Sequence, residues 1–378
     1  MKKILIGTTA LVAVGLVTGQ ASAAEQIKLG LGGYYQSFFK ITDQDQVNGV
    51  DYRSDEMVQE GEIHFLGETV LDNGLKVGVQ VQLEAWTAAN NRGPGDQIDE
   101  HYVYFDGSWG RVLLGAENSA PYLMHYAAPS AIVGHGVSEP NFFNFSTGTN
   151  AAGRIGQAPS TLINNTSDAN KVTYFTPRMA GFQLGLSYTP TVKAGVAAGQ
   201  NGNGGGWSGS YGNTADNQPG QQEQIVEVGL NYVNKLGPVD LAVSGGYLKG
   251  SQEVDTPGFD DLQVWSLGLN VGFSGFTFGG SYINDNRGLD GNNDIKGWDV
   301  GLVYAFGPYK VGAAYANSQR EFDVGGDDEL KMYEIGGSYA MGPGISLNAG
   351  VQFLDADSDR ASARQDGTAF LVGTALSF

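Results

Sequence analysis

The amino-acid sequence predicts an all-β chain: a transmembrane, antiparallel, up-and-down β-barrel of sixteen strands. Three observations carry this expectation. Apolar and polar residues alternate with a period of two along nearly the whole chain. The links between alternating stretches are by turns short and long. Beyond the first 17 residues, no apolar stretch approaches the length of a membrane-spanning helix.

The chain opens with Met1-Lys2-Lys3, a short basic start, followed by an apolar run from Ile4 to Val17 and by Ala21-Ser22-Ala23. Basic start, short apolar core and small residues at a cleavage site make residues 1–23 a bacterial export signal, and 24–378 the barrel. Composition narrows the function. With no cysteine, disulfide scaffolds, thiolate metal sites and cysteine nucleophiles are excluded. The formal charge of −19 lacks the basic footprint that nucleic acid requires. The 58 glycines have no collagen period, and an aromatic content of 11% separates the chain from acidic disordered sequences.

Residues 75–86 show the alternation most clearly. Leu75, Val77, Val79, Val81, Leu83 and Ala85 form one face, and Lys76, Gly78, Gln80, Gln82, Glu84 and Trp86 the other. Successive strand side chains point to opposite sides, so such a strand has one apolar and one wet wall. Stretches beginning at Val239, Trp265, Trp298, Ile345 and Ala369 repeat the pattern. Their polar faces are mostly Gly, Ser, Asn, Gln and Asp, as expected of a hydrated interior. Their apolar faces often begin or end in Tyr, Trp or Phe, as expected of aromatic girdles at two membrane interfaces. A strand of about 10 residues rising about 3.3 Å each and tilted about 45° climbs roughly 23 Å, which matches an outer-membrane apolar band.

The links give the strand count. The first strand is expected over about 27–40 and the second over 58–71, with a first long link, 41–56, between them and the hairpin signal Asp72-Asn73-Gly74 closing the second. Long links follow at 88–97, 117–169, 191–222, 250–260, 284–294, 317–328 and 355–365. Short turns fall at 106–110, 177–181, 234–238, Ser274-Gly275, Gly307-Pro308 and Gly342-Pro343-Gly344. Eight long links and seven short turns make sixteen strands, with short turns on the periplasmic side, long loops outside and both termini on the turn side.

Several segments resemble the general porins of Gram-negative outer membranes. Gly61-Glu62-Ile63-His64-Phe65-Leu66-Gly67-Glu68-Thr69 resembles their second-strand signature. Residues 104–115, from Tyr104-Phe105-Asp106-Gly107 to Gly115, resemble their fourth-to-fifth strand hairpin. Asn170-Lys171-Val172-Thr173-Tyr174-Phe175-Thr176-Pro177 with Gly181-Phe182 resembles the return after their constriction loop, and Phe378 resembles the terminal aromatic that signals to the barrel-assembly machinery. The resemblance implies a homotrimer in outer-membrane lipid and lipopolysaccharide, passing ions and small hydrophilic solutes by diffusion. It also implies that 117–169 is a third loop folded into the lumen. Tyr122, Leu123, Met124, Tyr126, Phe142, Phe143 and Phe145 could pack such a loop, and 53 residues without strands suggest a functional one.

The sequence departs from the porin pattern at the constriction, where basic wall residues usually oppose an acidic loop. Glu62 occupies the position of a wall arginine, His101 sits near another, and Ala116 replaces the arginine common after the glycine. The familiar Pro-Glu-Phe-Gly-Gly of the loop reads Glu139-Pro140-Asn141-Phe142-Phe143. The residues expected to line the pore or its constriction are Lys28, Glu62, His64, Lys76, Glu84, His101, Arg111, Glu117 and Glu139. Lys40, Lys171 and Lys310 add basic lumen positions, and Glu68, Glu227, Asp240, Asp299 and Glu334 add acidic ones. A surplus of lumen carboxylates predicts a mild preference for cations.

Other constellations carry less. Asp355, Asp357 and Asp359 alternate like calcium-loop acids, but Arg360 stands where an EF-hand needs glycine and Asp366 where it needs glutamate. These three are the candidate calcium ligands of an outer loop, and no other cofactor is expected. The histidines are dispersed without metal spacing, Gly202 to Gly206 has no Walker lysine, and no Gly-x-Ser-x-Gly elbow stands near a helix, so no enzyme is expected. The residues leave open a substrate-selective channel of the same fold, a surface adhesin and a secreted all-β binding protein.

Overall fold

The computed structural model describes residues 26–46, 49, 51–85, 98–138, 144–145, 159–192, 218–359 and 363–378. The expected export signal, the whole 88–97 link, most of the 191–222 link, and Glu139, Phe142 and Phe143 lie outside them. Sixteen strands follow one another: β1 (Lys28–Gln44), β2 (Asp55–Val70), β3 (Lys76–Glu84), β4 (His101–Gly107), β5 (Gly110–Ala116), β6 (Asn170–Phe175), β7 (Phe182–Thr191) and β8 (Gln222–Leu236). The second half comprises β9 (Val239–Gln252), β10 (Gln263–Phe273), β11 (Phe276–Asp285), β12 (Ile295–Phe306), β13 (Tyr309–Arg320), β14 (Asp328–Gly342), β15 (Ile345–Ser358) and β16 (Ala363–Ser377). One helical turn, α1 (Ala120–Leu123), lies between β5 and β6. Among the described residues no helix is long and apolar enough to cross a membrane; the strands cross it.

Each strand pairs antiparallel with its neighbours in sequence, and β16 closes on β1. Closure leaves no edge, so every strand can satisfy its backbone donors and acceptors within lipid. The seam runs from Tyr34↔Ser377 to Gln44↔Gly367. Phe378 finishes it: Gly33 N–H donates to the Phe378 carbonyl at 3.0 Å, and Phe378 N–H to the Gly33 carbonyl at 3.1 Å. Gly33 has φ of 150°, and a Cβ there would lie 2.3 Å from the Glu62 carbonyl oxygen. Only glycine fits that backbone.

The two faces are inverted relative to a water-soluble protein. On β10, Leu267 is 56% exposed and its neighbour Ser266 1%. On β12, Leu302 is 48% exposed and Asp299 3%. The apolar face therefore points out and the polar face in, which suits a cylinder in lipid. Rings edge the outer face at two levels. Near the loops, Trp265 lies 5.0 Å from Tyr282, Trp298 4.9 Å from Tyr315, and Tyr315 4.8 Å from Tyr333. Near the turns, Phe276 stacks on Tyr304 at 4.3 Å, and Tyr309 meets Tyr339 at 5.1 Å. The girdles predicted from the sequence are formed.

The strand ends differ from those read in the sequence. β1 continues to Gln44, β9 to Gln252, β13 to Arg320 and β15 to Ser358. Their outer ends carry polar residues, which hid them from an alternation criterion, but backbone pairing does not require apolar side chains. The 355–365 link is mostly strand as a result. Asp355 and Asp357 stand on β15, Asp355 lies 3.6 Å from Arg364, and Asp359 accepts from the Asp327 N–H. The three aspartates do not converge as a ligand set.

Facing sets the expected stability effect of a charge at mid-membrane. Leu269→Arg, pointing into lipid, is expected to cost about 2–4 kcal/mol. Asn270→Arg, pointing into the lumen, is expected to cost far less. Guanidinium titrations of refolding into lipid vesicles measure both.

Candidate pore constriction

The described parts of the chain between β5 and β6 lie along the inside of the cylinder. Its backbone and hydroxyl groups dock on successive strands. Ala120 N–H donates to Ser187 Oγ on β7 at 2.9 Å, and Tyr126 N–H to Ser244 Oγ on β9 at 3.0 Å. Ala128 N–H reaches Asp299 Oδ1 on β12 at 3.0 Å, Ser130 Oγ reaches Glu334 Oε1 on β14 at 2.9 Å, and Val133 N–H reaches Asn348 Oδ1 on β15 at 3.0 Å. Asn144 bonds Gln352 at 2.7 Å, and its carbonyl accepts from Lys40 Nζ on β1 at 3.1 Å. The returning limb binds Asp299 through Thr161 at 3.2 Å, Asp285 through Asn165 at 2.8 Å and Glu227 through Thr166 at 3.0 Å. One segment can touch β7 through β15 and β1 on their polar faces only by lying inside the closed sheet.

The wall is shaped for this contact. At Gly268 an added Cβ would sit 2.0 Å from the Tyr126 carbonyl oxygen, and at Gly301 2.7 Å from that of Pro129. At Gly336 and Gly350 it would meet Ile132 at 2.6 and 2.4 Å. These lumen glycines form a track in which the loop backbone lies flush against the sheet. The sequence reading took such glycines as part of a hydrated interior, but those beneath the loop are covered. Alternation reports the face of a glycine, not what lies upon it.

Opposite β10 across the cylinder, β2 and β3 carry a different surface. The carboxylates of Glu60, Glu62 and Glu84 come within 4.8 Å of one another. Tyr34 OH donates to Glu60 at 2.8 Å or Glu62 at 2.7 Å, and His64 Nε2 lies 2.7 Å from Glu62. The loop presents no ionised counterpart between Asn118 and Ser138, a stretch without Asp, Glu, Lys or Arg. Its two histidines, His125 and His135, have pKa values lowered to about 4, chiefly by burial, and are neutral at physiological pH.

A family model described as Gram-negative porin matches residues 7–359. The chain belongs to the Gram-negative porin family. It is an outer-membrane channel protein, and solved porins share its fold. The Vibrio cholerae outer-membrane protein OmpT, folded in vitro in its trimer form, is 13% identical, with 94% of this chain and 100% of that chain covered at a TM-score of 0.59. An anion-selective porin from Comamonas acidovorans is 15% identical, with 93% and 100% covered at 0.59. An engineered Rh. blastica porin is 15% identical, with 93% and 100% covered at 0.56. No curated protein matches the sequence.

Within this porin the expected site residues separate into groups. Glu62, His64 and Glu84 share the acidic facet with Glu60, which sequence reasoning missed although it stands two residues before Glu62 on the same face. Lys28, Lys76 and Arg111 line the lumen near the turns, away from that facet. Lys76 pairs with Glu68 at 3.1 Å, Arg111 with Asp106 at 3.4 Å, and Lys28 stands opposite Glu68 in register. His101 is a correction: it pairs with Val81 and shares the outward face of Val103, so it does not line the pore. Glu117 is buried where the loop leaves the wall rather than open to the passage. Glu227, Asp299 and Glu334 are also reassigned. They are 0%, 3% and 2% exposed beneath the loop, and their oxygens accept its donors instead of meeting ions.

Replacing Gly268 tests the seat. Gly268→Val is expected to lift the loop from the wall and raise single-channel conductance. Gly272→Val, whose Cβ would press at 3.3 Å on the Asp240 side chain, with Asp240 rather than the loop supplying its nearest atoms, is expected to leave conductance near its original value. Acid tests the buried imidazoles. Their folded pKa values lie below the ordinary 6.5, so an unseated loop binds more protons between about pH 6.5 and 4. Seating is therefore fully stabilised above pH 6.5 and weakens as pH falls through that window. Open-channel noise should rise on acidification, and His125→Gln/His135→Gln should flatten the rise.

Proposed function

We propose that the protein is a general diffusion porin, passing ions and small hydrophilic solutes through a water-filled lumen with a mild preference for cations. The convergence of Glu60, Glu62 and Glu84 on one wall, facing a loop stretch without ionised side chains, carries this reading. Carboxylates bordering a low-dielectric passage raise the local concentration of cations and oppose anions. The loop of residues 117–169 is the constriction, a reading supported by its described part, which docks on the inner face of strands from β7 to β15. The Comamonas acidovorans porin is described as anion-selective on the same fold. The sign of selectivity therefore belongs to side chains, and here those are acidic. The OmpT trimer supports a homotrimer as the working assembly. Phe378, tied into the seam, is the element offered to the barrel-assembly machinery, and lipopolysaccharide meets the outer rim.

Reversal potentials of the purified protein in planar bilayers under a KCl gradient test the reading. A modest cation preference is expected, and Glu60→Gln/Glu62→Gln/Glu84→Gln should move it toward neutrality with little change in conductance. Clear anion preference in the unaltered channel would overturn the proposal.

A further inference from the structure

A lysine buried at the base of the loop has no part in ion selectivity as described above. Lys171 stands on β6, opposite Gly115 of β5, on the lumen face. It is 4% exposed, so it offers no charge to the passage. Its ammonium donates to the carbonyl oxygen of Ser167 at 2.5 Å and to that of Glu117. These carbonyls belong to the two ends of the loop: Glu117 directly follows β5, and Ser167 precedes β6 by three residues. One side chain thus joins departure and return.

The surroundings favour a cation there over a neutral donor. The charges of Glu227, Asp168, Glu117 and Glu100 all act on the ammonium. Glu100 also accepts from Asn118 at 2.6 Å and from Gln82, which ties the start of the loop to β3. Burial, reinforced for Glu100 by the neighbouring charge of Glu117, raises the pKa values of both carboxyl groups. Without the lysine, this acidic pocket would lose a compensating charge as well as two hydrogen bonds. Ser167 has φ of 37°, in the left-handed region that a serine rarely adopts. That conformation is held where its carbonyl meets Lys171.

We infer that Lys171 is the positioning residue of the constriction: its ammonium bridges the two ends of the loop and holds the neck closed, fixing how far the loop extends into the lumen. The inference rests on the reading of residues 117–169 as the constriction. It gives Lys171 a role that a wall lysine attracting anions would not have.

Single-channel recording of Lys171→Met, Lys171→Arg and a channel with residues 120–165 replaced by a short Gly-Ser link tests it. Lys171→Met should visit conductance substates about tenfold more often than the original channel, because the neck opens locally while the barrel remains folded. Lys171→Arg, which keeps charge and donors, should stay quiet. In the loop-excised channel Lys171→Met should have no effect. The inference is overturned if Lys171→Met is folded and quiet, if Lys171→Arg is equally noisy, or if the methionine effect persists without the loop. Should Lys171→Met not assemble in the full chain, it must assemble in the loop-excised one, and failure there overturns the inference too. The constriction reading fails separately if excision leaves the conductance of the Lys171 channel unchanged.

Discussion

Inside a lipid bilayer a backbone N–H or C=O without a partner has no water to turn to, and each one left over costs several kcal/mol. The architecture follows from that constraint. Sixteen strands pair with their neighbours, and the last pairs with the first. The Phe378 and Gly33 backbone bonds complete the closing seam. Closure fixes the inside and the outside, and a residue's place in the two-residue period then decides whether it meets lipid or lumen. The aromatic rings at both levels of the outer face, the half-exposed leucines between them and the buried polar inner face are consequences of the same closure.

The inner face has two roles that the strands alone do not distinguish. Over β7 to β15 it is a seat. Glycines allow the loop backbone to approach, and Ser187, Ser244, Asp299, Glu334 and Asn348 receive its donors. Such bonds contribute roughly 1 kcal/mol each when neutral and about 1.5–3 when charged. Several of them hold a long segment whose own secondary structure, among the described residues, is a single helical turn. Over β2 and β3 the inner face carries Glu60, Glu62 and Glu84, of which Glu62 is buried and the other two are partly buried. The same residue type therefore does opposite things on opposite sides of one cylinder. Carboxylates beneath the loop accept its donors, while in the function proposed above those on β2 and β3 set the potential felt by an ion.

This division of labour resolves the departure from the porin pattern noted in the sequence. The acid at position 62 is not an isolated substitution for a basic wall residue. It belongs to a group of three carboxylates with Tyr34 and His64 as hydrogen-bond partners. The loop stretch from Asn118 to Ser138 carries no Asp, Glu, Lys or Arg, and its two histidines are buried and neutral. Acidic wall and uncharged loop stretch together suit the cation preference proposed above.

Period and link lengths determined the barrel, its strand number and the direction of every lumen side chain on a well-alternating strand, because closure in lipid leaves few ways to satisfy that pattern. The chemistry of the loop ends was present in the letters too, but its arrangement was not. Glu227, Asp299 and Glu334 looked like pore acids, Lys171 like a pore cation and His101 like a lumen residue. Only the tertiary structure decided that the first three lie under a loop, that the lysine bridges the loop's two ends, and that β4 begins in the register that turns His101 outward. Alternation is a local property of one strand, whereas what covers a wall residue depends on where a segment many strands distant in the sheet comes to rest.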